Sequence, residues 1–259
     1  MRRFYFSLVA ALIAMTTVAS AQFVQNEAST QPLSNNNAGN IFSSMTTENY
    51  NRIYVGYNPV KMNWEKYQSD WEDSFPIKNG VTLGYLHGSN ITKNLPLYLE
   101  WGANFQYIFG KYSDSYSDEY GESSETAKVN MFSLNVPINL AFRFSFNNND
   151  LSITPYLGLN FRVNLAGNIK YEYEEDGYYE YEESETNNIF SSKDWDDGGI
   201  SDYAFKRFQA GLNLGVGLTY KSVYVGVGHV IDFSKIANYE DDDFVGKLGV
   251  TTISLGIAF

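Results

Sequence analysis

Two imidazoles and no thiol set the limits on what chemistry this chain can do. Among its 259 residues there is no Cys, so disulfides and thiolate metal sites are excluded, and His87 and His229 are the only histidines. His229 is the one candidate general base. The alternation of "VYVGVGHVI" puts it on the apolar face, while Asp232 falls on the opposite face. No serine sits in a nucleophile signature and no glycine-rich phosphate loop is present, so neither a catalytic nor a cofactor-binding residue is expected. Carboxylates are dense enough for Ca²⁺ in "DWDDGG" (194–199) and "YEDDDF" (239–244). Neither follows EF-hand spacing, so no metal ligand is assigned, and attraction of cations by net charge alone is the alternative reading. The tract "KYEYEEDGYYEYEESE" (170–185) reads either as a solvated, mobile loop or as an adhesive, glycan-contacting surface, because Tyr gives amphipathic contact area at little entropic cost.

The formal net charge of −12 opposes nucleic-acid binding. The N-terminus "MRRFYFSLVAALIAMTTVASAQ" has two arginines, an apolar run and Ala19-Ser20-Ala21, the pattern of a secretory signal peptide (1–21) cut after Ala21. Its removal takes the charge from −12 to −14, because Arg2 and Arg3 leave and every acid lies later. No Cys follows the cut, so no lipid anchor is expected. No other stretch approaches the ~18 consecutive apolar residues of a transmembrane helix. Residues 22–51 are rich in Gln, Asn, Ser and Thr and read as a polar N-terminal segment.

From Arg52 on, the chain is a series of period-two runs, the signature of strands with two unlike faces. In "LYLEWGANFQYIF", Leu97, Leu99, Trp101, Ala103, Phe105, Tyr107 and Phe109 share one face and Tyr98, Glu100, Gly102, Asn104 and Gln106 the other. "MFSLNVPINLAFRFSF", "SITPYLGLNFRVNLA" and "RFQAGLNLGVGLTY" alternate in the same way; "RIYVGYNPV", "GVTLGYLHG", "VYVGVGHVI" and the closing "TTISLGIAF" bring the count to eight strands. Short connections ("SNITKN", "NNND", "KS") alternate with long ones near 63–76, 110–127, 167–203 and 233–246, which hold 4, 5, 12 and 4 of the 30 Asp and Glu residues. Short turns at one end and long acidic loops at the other are the layout of a transmembrane barrel.

An eight-stranded barrel can also be soluble, with its apolar face inside. Here the apolar face is bulky in Phe and Leu and would overfill so narrow an interior, whereas the Gly, Asn, Ser and Thr face fits it. The bulky face therefore points outward, into lipid. In hydrocarbon an open edge leaves backbone groups unpaired, so first and last strands must meet. The final strand, with Ile253, Leu255, Ile257 and Phe259 on one face, then ends at an interfacial aromatic girdle.

The signal sequence ending "ASAQ", the "LNVPINLAFRF" strand with its internal Pro137, the "TPYLGLNF" strand after a short turn, and the C-terminal strand ending in Phe259 together resemble the Gram-negative outer-membrane β-barrel proteins, the porin family with OmpA-like eight-stranded barrels. The resemblance covers about residues 52–259. It implies an all-β, eight-stranded, antiparallel up-and-down transmembrane barrel in the cell outer membrane, surrounded by outer-membrane lipid. It also implies that the barrel-assembly machinery recognises Ile253, Leu255, Ile257 and Phe259. It brings no catalytic motif, and the peptidoglycan-binding domain of full-length OmpA is lacking, so no cell-wall tether follows.

Inside the barrel, Glu100 and Arg143 lie on adjacent strands near the short-turn end and are expected to pair, with Arg162 higher up. A gate on a narrow water path is the functional alternative. A monomeric, non-enzymatic structural or surface-interaction protein is expected, with a glycan or protein ligand at its acidic loops. A narrow cation-preferring pore is the second reading and a lipid-modifying enzyme the third.

Overall fold

The computed structural model describes residues 48–65, 77–92, 95–118, 121–146, 150–176, 180–191, 205–238 and 245–259. The signal segment, the polar residues up to 47 and both calcium candidates lie outside the described residues. The described chain contains eleven strands and no helix: β1 (Tyr50–Glu65), β2 (Asn79–Asn90), β3 (Leu97–Asp118), β4 (Gly121–Phe142), β5 (Phe144–Phe146), β6 (Leu151–Asp176), β7 (Tyr181–Asn188), β8 (Phe208–Tyr220), β9 (Val223–Asp232), β10 (Ala237–Asn238) and β11 (Val245–Ala258).

Eight of these make the barrel wall. The order β1-β2-β3-β4-β6-β8-β9-β11 is antiparallel throughout and closes by pairing β1 with β11 from Arg52↔Ala258 to Glu65↔Val245. Asn51 and Phe259 exchange both backbone hydrogen bonds at the seam, at 2.7 and 3.0 Å. No barrel edge is left open, as hydrocarbon requires. β5 continues β4 along β6 after a break at Arg143, β7 folds back on β6, and β10 pairs with β11.

The outward face is apolar. Val55, Leu83, Trp101, Phe105, Ile138, Leu157, Val227 and Leu255 are all exposed, and outward hydrophobics face one another across neighbouring strands, as in Leu83↔Phe105, Trp101↔Ile138 and Leu159↔Leu212. On β3 the outward hydrophobic run from Leu99 to Phe109 covers about 34 Å of strand, or about 26 Å after the usual tilt, the height of an outer-membrane apolar band. A water-exposed surface of that kind would be untenable. The molecule is a transmembrane barrel of the outer-membrane type.

Pro137 interrupts pairing where it must. The β3–β4 ladder holds at Trp101↔Ile138 and resumes at Asn104↔Asn135, skipping the residues that face Pro137 and its neighbour, while Pro137 pairs Asn160 on its other side without a slip. The register shift in this wall lies elsewhere, between Phe132 and Ser133. Opposite it, Leu165 and Ala166 are both exposed, so β6 carries the extra residue of a bulge.

Two expected loops are strands. β3 and β4 stay paired to Asp118↔Gly121, and β6 runs to Asp176 before folding back as β7. The cause is backbone satisfaction: a ladder already formed continues when side chains alternate and the turn is tight, whether or not either face is apolar. The described part of the Tyr/Glu tract is therefore a sheet rather than a loose loop. Four adjacent strands, β3-β4-β6-β7, rise together beyond the apolar band.

Candidate functional site

The lumen is built in three layers. At the short-turn end, Glu100 is fully buried and accepts bonds from Arg52 and from the Tyr50 hydroxyl, with Asn139 Nδ2 at 3.4 Å from its second oxygen. The Arg52 guanidinium stacks 4.5 Å from the Tyr224 ring centre, and Arg143 lies 5.0 Å from that of Tyr50. The expected Glu100–Arg143 pair does not form; Glu100 takes its cation from β1. The reason is reach: inward side chains of a narrow barrel meet across the lumen as readily as along the wall, and Arg143 sits at the break between β4 and β5, beside the Tyr50 ring.

Glycines make room for these rings. Tyr50 lies over Gly88, and Tyr156 over both Gly215 and Gly228, so close that a Cβ at any of the three would overlap the phenol. Sequence parity puts Gly and Tyr on one face; the structure shows that each ring occupies the space its glycines vacate.

The middle layer is amides and one ion pair. Arg162, at 1% exposure, donates from Nη1 to Asp232 Oδ2 at 2.6 Å and from Nε to Asn135 Oδ1 at 3.1 Å. Asn58 joins Thr82 and Thr252 at 2.6 and 2.7 Å, and Asn164 joins Ser133 and Gln209 at 2.7 and 2.6 Å. Arg162 thus meets neither Glu100 nor Arg143; Asp232 is its counter-ion. A cavity of ≈70 Å³ lies among Arg52, Tyr54, Asn104, Tyr156 and Arg162. Gln106 Oε1 and Asn135 Nδ2 on its wall have no protein partner, so it is wettable, yet it has room for only a few waters.

The third layer was not expected. At the long-loop end the interior turns apolar: Val60, Met62, Ile108, Val129, Met131, Ile169, Leu248 and Val250 point in from the strands. Ile77, Ile189 and Ile236 fold in from the connections, fixed by backbone bonds from Phe205 to Ile189 and from Lys206 to Ile236, both 2.7 Å. The upper lumen is packed hydrocarbon rather than the glycines and amides expected throughout.

Above this plug, the four-stranded extension separates its chemistry by face. The register places Tyr112, Tyr171, Tyr173 and Tyr181 on the face continuous with the lumen, interleaved with Asp114, Glu125, Glu175, Glu183 and Glu185. Tyr173 donates to Glu175 at 3.1 Å and Tyr181 to Glu183 at 2.9 Å, and these bonds raise both phenol pKa values. The outward face carries Lys111, Lys128 and Lys170. Glu172 bridges Lys128 and Lys170 at 2.5 and 2.8 Å, and hydrogen bonding to Lys128, then Lys170, lowers its pKa from 4.5 to about 2.

His229 faces outward and its Nδ1 lies 2.9 Å from Thr251 Oγ1; His87 bonds Asn51 at 2.8 Å near the short-turn end. Among the described residues no three His, Cys, Asp or Glu side chains are placed to hold a metal. In the closing strand Ile253, Leu255, Ile257 and Phe259 are all exposed on the lipid face.

No family model matches the sequence, and no curated protein matches it. Among solved structures the chain is similar to outer-membrane proteins, including the following. The attachment invasion locus protein Ail of Yersinia pestis is 17% identical, over 82% of this chain and 99% of that one, with a TM-score of 0.35. OprG of Pseudomonas aeruginosa is 12% identical, over 82% and 95%, at 0.37. A major outer membrane protein of Thermus thermophilus is 16% identical, over 82% and 99%, at 0.35. The assignment as an integral outer-membrane barrel rests on the closed hydrogen-bond circuit and the apolar band described above.

Proposed function

We propose that this protein is a sealed, non-enzymatic barrel that anchors a tyrosine-and-carboxylate face outside the outer membrane for contact with a partner. The observation that carries the reading is the apolar layer around Ile108, Met131 and Leu248, which fills the lumen beneath that face. A narrow cation pore needs a continuous wet path, and a hydrocarbon-packed cross-section opposes one. Catalysis at the lipid surface would need an activated nucleophile and an oxyanion site. His229 has a threonine hydroxyl for company, and the neighbouring backbone amides belong to the β9–β11 ladder. The face itself suits partners that offer hydrogen-bond donors and flat or cationic groups, such as a basic protein segment or a neutral glycan, and repels polyanions. The monomer is exported by its signal peptide and is inserted by the barrel-assembly machinery through the strand ending at Phe259.

Planar-bilayer recording with the purified protein tests the seal: silence at any voltage is expected, and steady cation-selective steps overturn the reading. Cells displaying the protein test the face. Binding to an array of glycans and basic peptides is expected to fall when Tyr173, Tyr181 and Tyr116, which the register sets on the same face as Glu175, are changed to Ser. Equal binding by the variant removes the surface role.

A further inference from the structure

Outside the lumen, the lysines and arginines of the described residues collect at one height. Lys221 occupies a short turn; all the others lie at the long-loop end. On β3 the last outward hydrophobic residue is Phe109 and the next outward position is Lys111. On β4 the outward sequence is Phe132, Asn130, Lys128; on β1 it is Tyr57, Pro59, Lys61; on β11, Ile253, Thr251, Gly249, Lys247. On β6, past the bulge, it reaches Lys170. Each of these five strands thus places an ammonium one to three outward positions above its apolar band.

Three of these ammoniums form a row. Lys111 pairs directly with Lys128, and Lys128 with Lys170, across two strand spacings of about 5 Å each. Like charges directly opposite one another destabilise a ladder. Here only Glu172 lies between them, shared by Lys128 and Lys170, while Lys111 meets no carboxylate among the described residues. The remaining acids of this outward face, such as Glu122 and Glu174, stand higher up. Three ammoniums with one carboxylate among them leave an excess of positive charge at the rim of hydrocarbon, which favours an anion that lives at that depth. Phosphate groups on lipid headgroups are at that depth, and a lysine binds them as a point charge.

We propose that Lys111, Lys128 and Lys170 form a docking row for phosphate-bearing lipid headgroups of the outer leaflet, continuous with the apolar band that takes the same lipid's acyl chains. The lysines fix the barrel's depth and recruit a shell of anionic lipid against the β3–β4–β6 flank.

The test uses the full purified protein in detergent. It is titrated with diphosphorylated lipid A, with the same lipid stripped of phosphate, and with inorganic phosphate, and bound lipid is counted by native mass spectrometry. About tenfold or greater preference for the phosphorylated lipid is expected, falling with salt. The Lys111→Gln, Lys128→Gln, Lys170→Gln variant is expected to bind both lipids equally. The corresponding triple Arg variant keeps the preference, and Lys221→Gln leaves it unchanged. A wild type without preference, or a triple Gln variant that retains it, overturns the proposal. Loss in both the Gln and the Arg variants shows that charge is not the cause and also overturns it. Displacement of the lipid by millimolar inorganic phosphate assigns the row to a free anion instead.

Discussion

At the scale of single residues, the barrel interior is held by charges that pair across it. Replacing Glu100 with Gln leaves Arg52 buried without a counter-ion, and such a loss typically costs about 3–5 kcal/mol. We expect Glu100→Gln and Asp232→Asn each to lower the urea midpoint of unfolding in detergent markedly. Arg143→Ala, which removes only a ring contact, should cost about 1 kcal/mol. If Arg143→Ala matched Glu100→Gln, the partner assignment would be wrong. Joint replacement of Arg52 and Glu100 by Met and Leu should recover most of the loss, because hydrophobic isosteres often substitute for a buried pair at no net cost. Gly228→Val belongs to the same set: its side chain must displace the Tyr156 phenol, so the variant should slow refolding into micelles or prevent it. The sequence disclosed which side chains enter the lumen, since period two fixes that. Partner choice was not legible, because a contact across the bore depends on stagger between distant strands, which no local spacing encodes.

At the scale of elements, the eight wall segments could be read because one face of each is apolar and the other is not. The β3–β4–β6–β7 extension could not, because above the membrane both of its faces are polar and the contrast disappears. A trace remained in the alternation of "KYEYEE", where Lys170, Glu172 and Glu174 fall outward and Tyr171, Tyr173 and Glu175 inward. The plug left a signal too: "VKM" and "KLGV" put Val60, Met62, Leu248 and Val250 on the inward parity, with lysine outward. Glu172 provides a test of the extension. Its folded pKa of about 2 lies below its ordinary 4.5, so its stabilising contribution is complete above 4.5 and is lost as pH falls through about 2. A carboxyl-carbon NMR titration should show Glu172 with a midpoint near 2, while Lys128→Gln moves it upward. A midpoint near 4.5 in the wild type would show that the bridge is not formed in solution.

At the scale of the whole molecule, a polar middle layer lies between a charged floor and an apolar ceiling. Hydrating the ceiling should expose what lies beneath. Ile108→Ser combined with Leu248→Asn is expected to produce small, flickering conductance where the wild type is silent; continued silence would mean that the Arg162–Asp232 layer seals the bore unaided. The wall is also of unequal height. β3, β4, β6 and β7 climb well past the hydrocarbon rim, whereas β2, β8 and β9 stop near it. A cylinder with one raised parapet has a compass direction in the plane of the bilayer. Among the described residues, the side of the raised sheet turned toward the lumen axis carries phenols and carboxylates, and its opposite side carries ammonium groups. Rotation about the membrane normal would therefore select which of two unlike surfaces any lateral contact receives.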